Sequence, residues 1–290
     1  MGSPQGLDPR LTKNHTRQQQ LANQARSYRK ADPPPHKVKP VPVQLLAHCC
    51  AALQPTVLGQ VMADLLIVAF FYLLRPGEYT YDKKNNHPFR LCDVTYQTPT
   101  GFFNAATVPL SQLDHATMSV LNLTTQKNLR KNQPLTAGDT DDALLSPLKA
   151  TRRLVKRLRQ HSAPPNAPLH TAYLPDGSTK AVTARMLTQA LRSSCKVLGP
   201  SLGISGRDIS NRALRNGGCM ALIRSGVDSS IARLLGRWES WAMLECLQRA
   251  SVDTSGYARL MLQHGHFTIP AHQHLPSDVA ALVKTHLGVT

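Results

Sequence analysis

The sequence predicts a mainly helical domain that carries a small antiparallel β-sheet, and three observations lead there. Two segments, 43–74 and 211–249, carry apolar residues at helical spacing and are broken by Pro or Gly. Between them, over 80–136, that period disappears and short alternating runs with polar connections replace it. A 41% hydrophobic fraction over 290 residues is enough for a good core in one large domain or two small ones.

Charge sets the first functional limit. Lys plus Arg number 34 against 17 Asp plus Glu, a formal +17 with His neutral, so polyanions are the first partners to consider. The six cysteines (Cys49, Cys50, Cys92, Cys195, Cys219 and Cys246) form no CxxC pair, which fits a reducing compartment. The start, MGSPQGLDPR, has no apolar stretch resembling a signal peptide. The longest apolar run, LLIVAFFYLL at 65–74, is far short of the roughly 20 residues a spanning helix needs. The expectation is a soluble intracellular protein, nuclear in a eukaryote, with no membrane partner.

Residues 1–40 hold eight Lys or Arg against two Asp and run into the Pro-rich ADPPPHKVKPVPV, whose prolines exclude regular helix. This is read as a basic arm and stiff linker, either the remnant of a further domain or a disordered tail. The pattern then turns helical, first VQLLAHCCAALQ and then VMADLLIVAFFYLLR, the second apolar almost all round and so a buried central helix. Arg75 ends it before Pro76 and Gly77. It is either a cation complementing the helix dipole or a charge held at the mouth of a rigid element.

Over 80–136 the runs RLCDVTYQ, TMSVLNLTTQ and QPLTA read as strands, the best hairpin being MSVLNLTTQ with KNLRKNQPLTA. Lys127 and Lys131 fall at its turn, where a lysine is a solvated charge or an ammonium delivered into a groove. Next, Ser146 can cap and Pro147 can begin a helix, SPLKATRRLVKRLRQH. Its cations Lys149, Arg152, Arg153, Lys156 and Arg157 lie on one side, and Thr151, Leu154, Val155 and Leu158 on the other. That basic side is a solvated face or a surface for a phosphate backbone. A Pro-rich loop with a short hairpin near 174–178 leads to the amphipathic helix AVTARMLTQALRSSCKVLG.

The segment 211–249 reads as three short helices with Arg212 and Arg215 one turn apart, and with Gly226 and Gly236 placed where φ > 0 is needed. Guanidinium forks beside helix ends suit phosphate. The pairs His264/His266 and His272/His274 have a spacing that binds metal weakly. No P-loop, GxGxxG, HExxH or GxSxG is present, and no close carboxylate set suggests a two-metal nuclease. Phosphate chemistry here would run on cations alone, without metal or other cofactor and without a small-molecule substrate.

Arg75 in LLRPGEYT, Lys127 in TTQKNLRKNQP, RALR at 212–215 and LLGRW at 234–238 together resemble the tyrosine recombinase (phage integrase-like) family. The likeness is nearer still to the recombinase-like domains of eukaryotic mobile elements of the DIRS and Crypton kind, and it spans about 43–267. The resemblance implies the DNA breaking-rejoining fold of that family's catalytic domain and recombination or integration by strand transfer. It implies that Arg75 and Arg215 grip the scissile phosphate and that Lys127 protonates the departing 5′ oxygen. Arg212 heads the HxxR box, where arginine can donate to phosphate but cannot shuttle a proton. Trp238 matches the His/Trp position.

The departure comes at the nucleophile. Counting along ESWAMLECLQ, the family's tyrosine falls at Cys246. A cysteine sulfur lies roughly 3 to 4 Å nearer the backbone than a phenolic oxygen, and a misplacement of about 1 Å can cost on the order of a hundredfold in rate. Tyr257 lies eleven residues later, past Gly256. At Trp241 and Glu245 the family tends to carry Asp and Arg, so Glu245 puts a negative charge near the phosphate. The expectation is a basic arm and linker over 1–40, a catalytic-type domain over 41–268 and a tail over 269–290. That domain would bind duplex DNA through its backbone, self-associate on it, and fail to cleave it. The alternatives are an active recombinase with another nucleophile and a non-enzymatic basic scaffold.

Overall fold

The computed structural model describes residues 38–81, 88–123 and 133–238. Helix α1 (Val43–Leu53) leads through a short turn into α2 (Val57–Phe71), where the Thr56 hydroxyl accepts the Gly59 N–H at 3.0 Å. The helix α2 is buried around most of its circumference, as a run without a polar face must be. It packs against α1, and later elements of the chain close on its other sides.

The central helix ends at Phe71, three residues before the apolar run does. Leu73 takes φ 52 and turns the chain. Arg75 is therefore not the last residue of the buried helix, as its position before Pro76 suggested. It is the N-cap of the short α3 (Pro76–Tyr79), with its backbone N–H donated to the Glu78 carboxylate at 2.8 Å. An Arg-Pro-x-Glu sequence is as good a helix start as a helix stop, since proline suits the first turn and a third-position carboxylate caps it.

Four antiparallel strands follow, β1 (Val94–Thr98), β2 (Gly101–Asn104), β3 (Met118–Leu123) and β4 (Gln133–Gly138), in the order β2-β1-β3-β4. The expected hairpin is β3 with β4, in register from Met118 opposite Gly138 to Leu123 opposite Gln133. Strand β2 leaves no signal in the sequence: four residues, GFFN, are too few to display a period. Gly101, at φ 135, makes its turn.

Helix α4 (Pro147–Gln160) starts as read, with the Ser146 hydroxyl accepting the Lys149 N–H at 3.1 Å. Its apolar side packs on α2. The hairpin β5 (Thr171–Tyr173) with β6 (Thr179–Ala181) precedes α5 (Ala184–Leu202), which lies on α1 and ends at Gly203 in the left-handed region. Helices α6 (Ala213–Arg224) and α7 (Ser229–Leu235) come last, and α6 packs on α2. The result is a mainly α domain with a small antiparallel sheet. No helix among the described residues is long and apolar enough to cross a membrane.

Candidate functional site

Helix α6 can reach the end of α2 because it carries Gly217 and Gly218. A Cβ on Gly217 would lie 2.2 Å from the Val41 carbonyl oxygen, and one on Gly218 would lie 2.2 Å from that of Phe70. Any side chain at either position would force the backbones apart. This close approach delivers Arg215, just upstream on α6, to the turn that carries Arg75.

The two guanidinium groups meet at two consecutive peptides. Arg215 is buried, and its Nη2 donates to the Gly236 carbonyl. Arg75 is half-buried, and its Nη2 donates to the next carbonyl, that of Arg237, at 3.4 Å. Residues 140 positions apart in sequence thus bracket a single stretch of backbone after α7. The Arg215 guanidinium also lies over the Trp238 ring, 4.3 Å from its centroid, an arrangement that holds the plane of the fork and adds cation–π attraction.

The glycines near this turn divide their work differently from the sequence expectation. Gly226 does take φ 86, but Gly236 has φ −77, and it is Arg237 that adopts φ 58. Gly236 is required for space: a Cβ there would lie 1.5 Å from the Trp238 ring, which folds back over it. Arg237 bears the left-handed strain, a conformation that costs a non-glycine residue of order 1 kcal/mol or more and that surrounding contacts must hold.

Those contacts make Arg237 the residue that sequence reasoning missed. Its side chain is 6% exposed, and its Nη2 donates to Glu78 at 2.8 Å and to the Leu73 carbonyl at 3.3 Å. Its Nε and Nη1 are buried with no hydrogen-bond partner among the described residues. Burial pulls the guanidinium below its ordinary value; Glu78 opposes that and Arg75 adds to it, but a group starting this high stays charged. Glu78, itself buried, accepts from both Arg75 (3.2 Å) and Arg237. Three guanidinium groups and one carboxylate leave an excess of positive charge in a largely dry site, the setting in which a phosphate is bound most strongly. The signal available in the sequence is Arg237 itself, inside LLGRW beside Trp238.

Other expected residues fall elsewhere. Arg212 is exposed at the N-cap of α6, so it does not share the burial of Arg215 despite the helical spacing. Lys127, Lys131, Trp241, Glu245, Cys246, Tyr257 and the four paired histidines lie outside the described residues. The basic arm of 1–37 and the tail lie outside them too. Among the described residues no group of three or more His, Cys, Asp or Glu could hold a metal ion.

The cations of α4 each have a partner within the protein. Arg153 donates to Asp64 at 2.8 Å, and Arg157 donates to the same carboxylate and to Gln60. Arg152 donates to the Leu113 and Asp114 carbonyls at 3.0 and 3.1 Å, and Lys156 pairs with Asp114 at 2.6 Å. Lys149 pairs with Asp139 at 3.4 Å. What reads in the sequence as an outward basic stripe serves to pin α4, and Asp64, 1% exposed on the apolar α2, is its main anchor.

No family model and no curated protein matches the chain. Among solved structures it is similar to XerA recombinase, at 14% identity and a TM-score of 0.44, covering 82% of this chain and 67% of that one. It is similar to the Tn1549 transposon integrase in complex with transposon right-end DNA, at 13% identity and a TM-score of 0.46, covering 81% and 68%. It is also similar to FLP recombinase in a Holliday junction complex, at 12% and 0.41, covering 83% of this chain and 49% of that one. Likeness at this level leaves function to the residues of the site.

Proposed function

We propose that this chain is a tyrosine recombinase-like protein of mobile-element descent that grips duplex DNA at a phosphodiester and has lost strand cleavage. The observation that carries the reading is the convergence of Arg75 and Arg215 on the consecutive carbonyls of Gly236 and Arg237. Two preorganised forks beside one another match the two non-bridging oxygens of a phosphodiester, and they act there in surroundings with little competing water. Arg237 adds donors that are already desolvated. Trp238 keeps Arg215 in plane, and Lys127 is the candidate proton donor. The convergence also favours this reading over a basic scaffold, for which the arginines need share no site.

The loss of cleavage is argued from chemistry at one position. With Cys246 where the family has tyrosine, a thiol would have to replace a phenol several ångström longer. The phosphate grip can outlast the nucleophile because the two depend on different residues. Descent from a mobile element and self-association on DNA go with the same ancestry.

The test is a suicide duplex nicked near the scissile phosphate, incubated with the full chain. The wild-type protein should bind it without forming a covalent adduct, and Arg75→Ala with Arg215→Ala should bind it more weakly. An adduct from the wild-type chain would sink the inactive reading, and unchanged affinity in the double variant would sink the grip. An adduct gained by Cys246→Tyr would show that the rest of the site is still assembled.

A further inference from the structure

We infer that the DNA backbone runs along α5 and the loop after it, and not along the more basic α4. The inference rests on the reading of the chain as a duplex-DNA binder and specifies which surface does the binding. Arg185, Arg192 and Lys196 on α5 share one face with Gln189, at steps of four, three and four residues. They lie opposite the side that buries Leu187, Leu191 and Ser194. All three cations are exposed. They span about 16 Å of helix axis at 1.5 Å per residue, comparable to about five base-pair steps along a strand.

The two helices differ in what neutralises them. On α4 three cations are paired with Asp64 or Asp114 and a fourth with Asp139. On α5 none of the three makes an ion pair with a described residue, and Arg192 donates a hydrogen bond only to a carbonyl among them, that of Ile209 at 3.1 Å. Between residues 177 and 227 the sequence holds a single acid, Asp208. That carboxylate is turned inward, bonded to the Ser205 N–H at 2.9 Å and to Lys39 at 3.2 Å. A charge already matched inside the protein must give up its partner to meet a phosphate. An exposed, unmatched one gives up only water and releases a counterion from the DNA.

The stripe is also continuous with the phosphate site. The chain after α5 passes beside Arg192 at Gly206 and Ile209, then donates its Asn211 N–H to Thr188 on α5 at 3.2 Å. The Asn211 carbonyl accepts from Tyr79 of α3 at 3.3 Å, and Arg212 follows, exposed, at the start of α6. Arg207 is exposed on this connection. A duplex held at Arg75 and Arg215 therefore has cations of α5 and Arg207 on one flank.

The experiment is fluorescence anisotropy of a labelled duplex against the full chain across about 50 to 200 mM salt. The Arg185→Gln/Lys196→Gln/Arg207→Gln variant changes exposed side chains that make no ion pair with a described residue, and its thermal melt should match the wild type. Each lost phosphate contact removes about 0.9 from the salt slope of log affinity, so the slope should become shallower by about 2 to 3. Lys149→Gln/Lys156→Gln on α4 should leave it unchanged. An unchanged slope in the triple variant, or an equal change in the α4 variant, overturns the inference; so does an effect confined to duplex RNA. If Arg75→Ala/Arg215→Ala loses affinity while the triple variant does not, this surface is wrong and the phosphate grip stands. The reverse pattern keeps the surface and removes the grip.

Discussion

Glu78→Gln is the most informative single change, because Glu78 is the one carboxylate that two site arginines share. In the wild-type protein it neutralises Arg237, whose side chain is 6% exposed, and Arg75, whose side chain is 25% exposed. Removing the charge leaves Arg237 buried and uncompensated, a change that typically costs about 3–5 kcal/mol. The Arg75 pair is wetter and contributes less than about 1 kcal/mol. Glutamine keeps the shape and one acceptor, so the lower end, about 3 kcal/mol, is expected. For a domain of this size each kcal/mol moves Tm by about 2–4 °C, giving a fall of about 6–12 °C by calorimetry. Added sulfate should restore part of the loss in the variant, since an anion binding the folded state stabilises it by mass action. Combining the change with Arg237→Met should cost less than the sum of the two single changes, because the stranded charge is gone. A Tm within about 2 °C of wild type for Glu78→Gln would refute the account of the site as a shared-carboxylate cluster.

Three further outcomes follow. Gly218→Ala places a Cβ 2.2 Å from the Phe70 carbonyl oxygen, so it should destabilise by about 1–3 kcal/mol or more in urea unfolding, whereas a neutral effect would mean α6 does not depend on this approach. Gly236→Ala collides with the Trp238 ring and should shift tryptophan emission to the red and weaken duplex binding together; an unshifted spectrum would count against the Trp238–Arg215 stack. Burial pulls His170 down to about 4 from 6.5, so as pH falls the unfolded chain takes up the proton first. Stability is therefore undiminished above pH 6.5, and about 3 kcal/mol of it is lost progressively toward pH 4. His170→Leu should flatten that part of the stability profile, and an equally steep profile in the variant would place the loss elsewhere.

Where local chemistry was strong, the elements were legible in the sequence. The Ser146-Pro147 start of α4, the all-round apolar α2 and the β3–β4 hairpin each follow from patterns within a few residues. The errors also had local causes. Arg-Pro-x-Glu reads locally as a helix stop at Arg75, but the carboxylate three residues on makes it a helix start. Gly236 reads as the positive-φ position, yet Arg237 adopts it, because a sequence shows that a glycine is needed but not whether freedom of rotation or absence of a side chain is the reason. The basic stripe of α4 was legible as charge, but not its partners: Asp64 lies 89 residues from Arg153.

By itself, then, the sequence determined the class of the fold, the positive field, and the residue types able to hold a phosphate, because these depend on periodicity, composition and neighbours along the chain. Only the tertiary structure decided which cations do what. It put Arg75, Arg215 and Arg237 around the turn after α7, joined two of them through Glu78, matched Arg153 and Arg157 of α4 with a buried aspartate, and left the cations of α5 exposed. The physical reason is that a charge's role depends on the opposite charges and the water within a few ångström of it, and those neighbours are brought there by folding from distant parts of the chain.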